Sequence, residues 1–261
     1  MVSEAVKREF APAHESVEWA NEAIDELHTA FKGFFQSGVT EVVTEFDAAT
    51  SENVQKVRLT KPLPKAFRRK ATEALTQARY AFDKATFAAR NLATGRSNRS
   101  IYYPWARGPA DLNRLLKARG IDQRLWDVFA DHEPYPRGDS HPGGDDVIRT
   151  LAKMANDKHT VGLTVIGHIT STRYPSIHGR VVQSMDVLVP RWNPQKNEAE
   201  LIRWRGDVEV NGDYEFSFDV ALRDTRLPEP VNAIAALKGF SEKASLAAET
   251  LEARCQELGL G

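Results

Sequence analysis

Apolar residues recur along three long stretches of the chain at alternating spacings of three and four residues. This spacing places them along one side of an α-helix and is typical of helices packed against each other. The three seams run from Val6 to Phe34, from Phe67 to Leu92 and from Ile234 to Leu258. They predict helices over 12–37, 64–95 and 230–258. The first helix is expected to begin, or to kink, at Pro12, because proline fits a first helical turn and disturbs a helix interior.

The stretches between these helices are rich in β-branched and aromatic residues, as strands are. A β-hairpin is predicted over 39–60 and a set of strands over 161–222, where Asn211-Gly212 gives the strongest signal for a tight hairpin turn. The segment 97–158 is interpreted as an irregular or helical insert. Together these elements predict one α+β domain, a bundle of three long helices packed with an antiparallel sheet of about five to six strands.

Charge is distributed unevenly, although the 35 basic and 36 acidic residues of the 261-residue chain nearly balance. Before Lys56 the chain has 3 basic and 11 acidic residues, whereas from Lys56 to Gly120 it has 16 basic and 3 acidic residues. Either the two blocks neutralise each other across a packed helix pair, or the basic block also faces an anionic partner. The seams favour antiparallel neighbouring helices, and opposite charges are expected to reinforce that pairing.

The composition excludes several kinds of site and location. A single cysteine, Cys255, cannot form an internal disulfide or a zinc site built on several cysteines. The longest nearly apolar run, 161–167, is far too short to cross a bilayer. A cytoplasmic protein without a membrane partner is therefore expected. The sequence has no glycine-rich phosphate loop and no serine-nucleophile elbow, and no cofactor is assigned.

Three short motifs stand out. The first is Phe10-Ala11-Pro12-Ala13-His14, the second is the segment 78–84, and the third combines Pro134-Tyr135 with Asn156-Asp157-Lys158-His159. Together they resemble a bacterial and phage family with an Asp-Lys-His signature, for which no activity is established. Phe10 stands where that family usually has arginine, and Lys84 stands where it usually has histidine. The resemblance implies a bacterial or phage protein but no particular reaction.

The end of the insert holds the candidate catalytic residues. Asp157 and His159 lie at the junction of a predicted helix and strand, downstream of Tyr135. In the functional interpretation, His159 is a general base or anion contact that Asp157 orients, and Arg137 is an electrostatic clamp. His14 joins this site if the first helix crosses the junction. In the alternative interpretation, His159 is a helix-end cation or a core histidine bonded to Asp157.

Arginines and aromatic residues are interleaved where the second helix meets the insert. The residues concerned are Arg90, Arg96, Arg99, Tyr102, Tyr103, Trp105 and Arg107. Guanidinium groups among aromatic rings suit RNA or another single-stranded nucleic acid, through phosphate contacts and base stacking. In the alternative interpretation, the aromatic residues belong to the core and the arginines pair with the acidic first helix.

The loop 131–142, with Asp145 after it, carries side chains of the types that bind metals. These are His132, Glu133, Asp139, His141 and Asp145. Their spacing matches no known metal motif, and a polar loop rich in proline and glycine has this composition without binding an ion. No metal ligand is therefore assigned.

Two functions of different classes are compatible with these features. The preferred one is a cytoplasmic binding or regulatory protein of a bacterial or phage system, with another protein or a second copy of the chain as candidate partner. The alternative is a nucleic-acid-directed enzyme, most concretely a ribonuclease that uses a site of His, Asp and Arg. Arg8 and His14 have the spacing found in helical-bundle ribonucleases, although Pro12 lies between them.

Overall fold

Long helices packed side by side supply most of the buried apolar surface. The computed structural model describes residues 3–95, 101–156, 162–172, 176–193, 195–211, 214–223 and 231–260. The α-helices of these residues are α1 (Glu4–Gln36), α2 (Lys65–Thr94), α3 (Pro109–Ala118), α4 (Trp126–Asp131), α5 (Asp146–Asn156) and α6 (Ala233–Glu257). The three longest, α1, α2 and α6, correspond to the three seams, and most seam residues of each helix are buried.

The first helix begins earlier than the sequence predicted. α1 starts at Glu4 and contains Pro12 in its interior, so the predicted start at residue 12 is wrong. Val6 and Phe10 are completely buried, and burying such a side chain is worth about 1.5–3 kcal/mol. This gain offsets the cost of an interior proline, about 3 kcal/mol. Pro12 itself is exposed on the outer side of the helix.

α1 and α2 pack in antiparallel orientation, as their link through a short hairpin predicted. Three polar contacts record the direction: Lys70 Nζ to Glu26 Oε2 at 2.6 Å, Lys84 Nζ to Ser16 Oγ at 2.8 Å, and Asn91 Nδ2 to Glu9 Oε2 at 2.9 Å. Among the described residues, the first of these is the one ion pair between the two helices. Direct pairing between α1 and α2 therefore neutralises little of the basic block.

The strands form two antiparallel sheets. They are β1 (Thr40–Asp47), β2 (Glu52–Leu59), β3 (Gly162–Thr172), β4 (Ser176–Val187), β5 (Trp192–Asn193), β6 (Glu198–Asn211), β7 (Tyr214–Arg223) and β8 (Val231–Asn232). The larger sheet has five strands in the order β1-β2-β6-β4, with β5 also paired to β6, and the smaller has the order β3-β7-β8. The α+β class and the early hairpin are confirmed, whereas the strands of 161–222 are divided between two sheets.

The tight hairpin predicted at Asn211-Gly212 is wrong. β6 pairs with β2 and β4, whereas β7 pairs with β3 and β8, so β6 and β7 do not pair with each other. Ser176 pairs with Asn211 and Thr172 pairs with Tyr214, so the two ladders follow each other along the same two stretches of chain. The backbone groups that a local β6–β7 hairpin would have paired are therefore bonded to strands far away in sequence. Gly212 lies outside the described residues.

The insert is mostly helical where it is described, and it shares the core of the bundle. It contains α3, a 3-10 turn (Gln123–Leu125), α4 and α5. Leu112, Leu116 and Phe129 are fully or almost fully buried in the same cluster as the seams of α2 and α6. A smaller cluster around Ile202 and Trp204 lies in the five-stranded sheet. The insert is therefore fixed on the helices by apolar packing.

Asn232 caps the first turn of α6, since its side-chain oxygen accepts a hydrogen bond from the backbone N–H of Ala235 at 2.9 Å. We expect Asn232→Ala to lower the free energy of unfolding by about 1 kcal/mol, because this N–H then loses its partner. Asn232→Asp keeps an acceptor and is expected to preserve stability. Urea unfolding followed by circular dichroism measures both, and equal losses in the two variants would contradict the capping role.

Candidate functional site

A cavity of about 140 Å³ lies where the insert meets α2 and α6. Its floor is aromatic and consists of Phe82 from α2 with Tyr103 and Trp105 from the insert. The other lining residues come from the end of α4 and the turn after it, the start of α5, and α6: Asp131, His132, Glu133, Pro134, Tyr135, Gly144, Asp145, Ile148, Arg149, Lys243 and Leu246. The cavity is thus built by elements that are far apart in the sequence.

The floor of the cavity is a set of mutually packed rings. The ring centroid of Phe82 lies 4.7 Å from that of Tyr103 and 4.9 Å from that of Trp105, and the latter two are 4.8 Å apart. Phe240 of α6 packs against Phe82 at 5.4 Å from the other side. Phe82 and Tyr103 are only 2% and 1% exposed. A floor held on this many sides is rigid, which favours binding of a ligand of one shape.

His132 in the wall of the cavity uses both ring nitrogens. Thr250 Oγ1 donates to the Leu246 carbonyl at 2.7 Å, so it accepts from His132 Nε2 at 2.8 Å. Nδ1 then accepts from the Tyr103 hydroxyl at 3.0 Å. Burial lowers the pKa of His132 to about 4, with Asp131 opposing and Lys243 adding to the shift. The imidazole is therefore neutral near pH 7, with its protonated nitrogen fixed by the surrounding hydrogen bonds.

The turn after α4 is held against the start of α5. Glu133 has a positive φ of 47°, and its Oε2 accepts from the backbone N–H of Gly144 at 2.9 Å. Gly144 has a φ of 93°, and a Cβ there would lie 2.6 Å from the carbonyl oxygen of Pro136. Asp145 caps α5, accepting from the N–H of Ile148 at 2.9 Å. The loop around Tyr135 is therefore a fixed wall of the cavity.

The cavity carries polar groups of both signs. Arg149 and Lys243 supply positive charge, and Asp131, Glu133 and Asp145 supply carboxylates. The carboxylates of Glu133 and Asp145 each accept one local backbone N–H, which leaves further lone pairs on their oxygens. The rim can therefore both donate hydrogen bonds to a ligand and accept them from it.

A second group of side chains lies next to the cavity, and we call it the arginine cluster: Arg79 of α2, Arg119 after α3, and Arg149 of α5. Arg79 lies 5.1 Å and Arg149 6.0 Å from the ring centroid of Trp105, measured from the guanidinium carbon. Arg79 Nη1 donates to the Ala152 carbonyl at 3.1 Å, and Arg149 Nε donates to the Ala106 carbonyl at 3.2 Å. The cluster therefore joins α2 to both ends of the insert.

Asp83 is the carboxylate inside the arginine cluster. Its Oδ2 accepts from Arg79 Nε at 3.3 Å, and its Oδ1 accepts from the backbone N–H of Tyr103 at 2.8 Å. Burial raises the pKa of Asp83, although Arg79 opposes this shift. Burial likewise lowers the pKa values of Arg79, Arg119 and Arg149. These opposite directions have one cause, since a poorly solvated site disfavours every charged form.

Three of the sequence's candidate residues, Tyr135, Arg137 and His14, lie in the described part of the chain. Tyr135 is 6% exposed and lines the cavity. Arg137 is exposed, donates through Nε to the Gly144 carbonyl at 3.4 Å and is not among the residues that line the cavity. His14 is paired with Glu252 of α6, with 2.7 Å between Nε2 and Oε2, and is also outside the lining. Asp157 and His159 lie outside the described residues.

The predicted stacking surface for nucleic acid is only partly exposed: Tyr102 is 54% exposed, whereas the other two aromatic residues are not exposed. Tyr103 is buried in the core, and Trp105 is half-buried against Phe82 and Tyr103. These two rings line the cavity and form no platform on the outer surface for the bases of a nucleic-acid strand. Arg90 is half-buried and donates through Nε to the Arg119 carbonyl at 3.1 Å. Arg107 is exposed. Arg96 and Arg99 lie outside the described residues. Aromatic burial stabilises the fold more than exposed rings would, which explains this outcome.

Sequence reasoning missed several residues of this region. Phe82 and Arg79 were noted only within a helix seam and the motif 78–84, without a role in a site, and Arg119 and Arg149 were not singled out. Arg79 did carry a signal, because it lies beside the seam residue Ala78 and four residues before Asp83, the spacing of a helical ion pair. The other two arginines come from separate elements, and spacing alone contains no information on their proximity.

Within the described ranges, no group of three or more His, Cys, Asp or Glu side chains is arranged to hold a metal ion. No helix of these ranges has the length and apolar content needed to cross a membrane. Comparison with protein-family models, with curated proteins and with solved structures gives no match for this chain. The cavity and the arginine cluster are therefore the features of this chain that indicate a function.

Proposed function

We propose that this chain is a binding or regulatory protein whose cavity takes a small planar ligand with both hydrogen-bond donors and acceptors. The observation that carries this proposal is the union of a rigid aromatic floor with a rim of both charge signs. Aromatic rings bind flat ligands by stacking. Arg149 and Lys243 can donate to the ligand, and the carboxylate of Asp131 can accept from it.

Two titratable groups support binding rather than catalysis. His132 is neutral near pH 7, and both of its nitrogens are engaged by Tyr103 and Thr250, so it positions the wall and has no free nitrogen to transfer a proton. Burial raises the pKa of Cys255 to about 12, which disfavours the thiolate that a cysteine nucleophile requires. In this proposal, Tyr135 is a ligand contact and His159 an anion contact.

Calorimetric titration with adenosine, guanosine, cytidine, uridine and free tryptophan tests the proposal. We expect at least one of these probes to bind with a Kd of about 100 µM or tighter. Leu246→Trp places an indole at the rim of the cavity and is expected to weaken that binding at least about tenfold. Leu246 is 44% exposed, so the fold tolerates the change.

Val189→Trp is the matched control, since Val189 is 85% exposed and lies outside the cavity lining. It is expected to bind like the unchanged protein. If none of the probes binds, or if both tryptophan variants bind equally well, the proposed ligand class is wrong.

A nucleic-acid-directed enzyme is the second candidate, and one observation favours it. Lys65, Arg68 and Arg69 are exposed together on α2 and line a groove of about 700 Å³, which presents positive charge to an anionic polymer. Purified protein incubated with RNA and with DNA, with and without Mg²⁺ or Mn²⁺, tests it. If the protein cleaves RNA or DNA and this cleavage disappears in His159→Ala, the chain is an enzyme and the binding proposal is wrong.

A cytoplasmic location and a bacterial or phage origin complete the proposal. The location is supported by Cys255, which is free and buried, as suits a reducing compartment. The origin is supported by the resemblance of the three short motifs. The candidate macromolecular partners are another protein or a second copy of the chain.

A further inference from the structure

The arginine cluster holds more positive charge than the carboxylates beside it balance. Asp83 is the carboxylate that bonds directly to a member of the cluster among the described residues, and it bonds Arg79 alone. Asp83 also attracts Arg119, and Asp111 attracts Arg119 and Arg149, both at longer range, while the oxygens of Asp111 accept from the Arg114 side chain and from the backbone N–H of Arg107. Within the described chain, neither Arg119 nor Arg149 therefore has an ion pair of its own, and three guanidinium groups share one directly bonded carboxylate.

This excess charge is unfavourable in a half-buried site. Arg79 repels both Arg119 and Arg149, and each of the three is also poorly hydrated. Arginine cannot lower this repulsion by losing its proton, because the guanidinium group stays protonated near neutral pH. A buried charge without a counterion costs free energy, and a bound anion would remove that cost.

Two buried donors in this region have no hydrogen-bond partner in the part of the chain that the structure describes: Arg119 Nη1 and Trp105 Nε1. Buried N–H groups are nearly always bonded in folded proteins. A role in fastening the insert explains Arg79 and Arg149, which donate to the carbonyls of Ala152 and Ala106. It does not explain Arg119, whose side chain makes no hydrogen bond to the described residues.

We propose that the arginine cluster binds the phosphate group of a small molecule. A phosphate offers several acceptor oxygens and up to two negative charges, which match the forked donors of arginine and the excess of positive charge. A carboxylate would compensate less of this charge. Trp105 and Arg149 also line the cavity, so the phosphate is either free or part of the cavity's ligand. The site itself does not depend on which ligand the cavity takes.

Thermal unfolding with inorganic phosphate as the probe, in chloride buffers of constant ionic strength, tests the site. We expect a saturable rise of Tm, with a Kd of about 1 mM or tighter. Arg119→Met keeps an apolar stem, loses no hydrogen bond to the described residues and removes repulsion, so its Tm without phosphate is expected to equal or exceed that of the unchanged protein. Its affinity for phosphate is expected to fall at least about tenfold.

Lys117→Met is the matched control, since it removes the same charge from a neighbouring exposed residue that is outside the cluster. It is expected to keep the response to phosphate. An equal response of the two variants overturns the proposal, as does the absence of a saturable phosphate effect in the unchanged protein. Binding of single-stranded RNA without binding of inorganic phosphate or adenosine 5′-monophosphate overturns it as well.

The source of the phosphate is resolved with adenosine 5′-monophosphate. Tighter binding of this nucleotide than of phosphate, abolished by Leu246→Trp, indicates that one ligand fills the cavity and the cluster. Equal affinities that Leu246→Trp does not change indicate free phosphate. Both results support the site. If the unchanged protein binds phosphate but none of the nucleosides, the cavity proposal is wrong and the phosphate site stands. The two proposals can therefore fail separately.

Discussion

Phe82→Ala is expected to lower the free energy of unfolding by about 3–5 kcal/mol, the cost of removing a large aromatic side chain from a packed core. Phe82 is 2% exposed and is in ring contact with Tyr103, Trp105 and Phe240. It therefore joins α2 to the insert and to α6 at one point. Alanine leaves a void that these rings cannot fill without leaving their other contacts. Urea unfolding monitored by fluorescence and by circular dichroism measures the loss.

Two variants on the same helix separate packing from helix propensity. Phe82→Leu keeps most of the apolar volume and is expected to cost less than about half as much as alanine. Tyr80→Ala changes an aromatic residue that is 49% exposed, and we expect a change within about 0.5 kcal/mol. A loss for Phe82→Ala that is no larger than that for Tyr80→Ala would contradict the central place of Phe82 in the core.

The helices were predictable because their signal is local and repeated. Each seam of α1, α2 and α6 repeats its spacing over many turns, so one unfavourable residue such as Pro12 does not cancel it. The start of α1 was misplaced because a proline rule was given more weight than the burial of Val6 and Phe10. The burial of Val6 and Phe10 depends on how α1 packs in the bundle, and the sequence of α1 alone does not contain that information.

Strand pairing was only partly predictable, because it depends on partners that are distant in the sequence. The hairpin of β1 and β2 is local, and its loop lies between two strands that pair with each other. Asn211-Gly212 has the same local character, but β6 and β7 find their partners in β4 and β3. A turn preference is worth little against ladders of this length, because each pair of residues in a ladder adds its own hydrogen bonds.

The sequence singled out some residues that line the cavity but did not reveal the arginine cluster. Tyr135 and Trp105 lie in the cavity, and residues 131–135, 144 and 145 form one wall of it. The arginine cluster combines residues of α2, the end of α3 and α5, whose proximity results from tertiary packing. The uneven charge of the sequence did contain a hint. Little of the basic block is neutralised by direct ion pairs with α1, although Lys56 and Arg58 pair with Glu45 and Glu198. The part of the block that lies in the arginine cluster has a single directly bonded carboxylate, Asp83.

Acid is expected to destabilise this protein through His132. The pKa of His132 is about 4 in the folded state because the ring is buried, and it is about 6.5 in an unfolded chain. Below pH 6.5 the unfolded state therefore binds the proton more readily than the folded state does. The stabilisation is complete above pH 6.5 and is lost progressively as the pH falls. The total loss amounts to about 3 kcal/mol once the pH passes below 4.

His132→Gln isolates this contribution, since glutamine cannot be protonated in this range and still offers a donor to Thr250. The difference in unfolding free energy between the two proteins is expected to shrink by about 2 kcal/mol or more between pH 7 and pH 4.5. Carboxylates such as Asp83 titrate in both proteins, so their effect cancels in the difference. Should the variant fold poorly, an NMR titration of the unchanged protein gives the same answer from the His132 ring protons. A midpoint near 6.5 there would mean that water reaches the imidazole and that the wall formed by His132, Tyr103 and Thr250 opens. A midpoint near 4 means that this wall stays closed and that His132 holds the floor of the cavity in place at neutral pH.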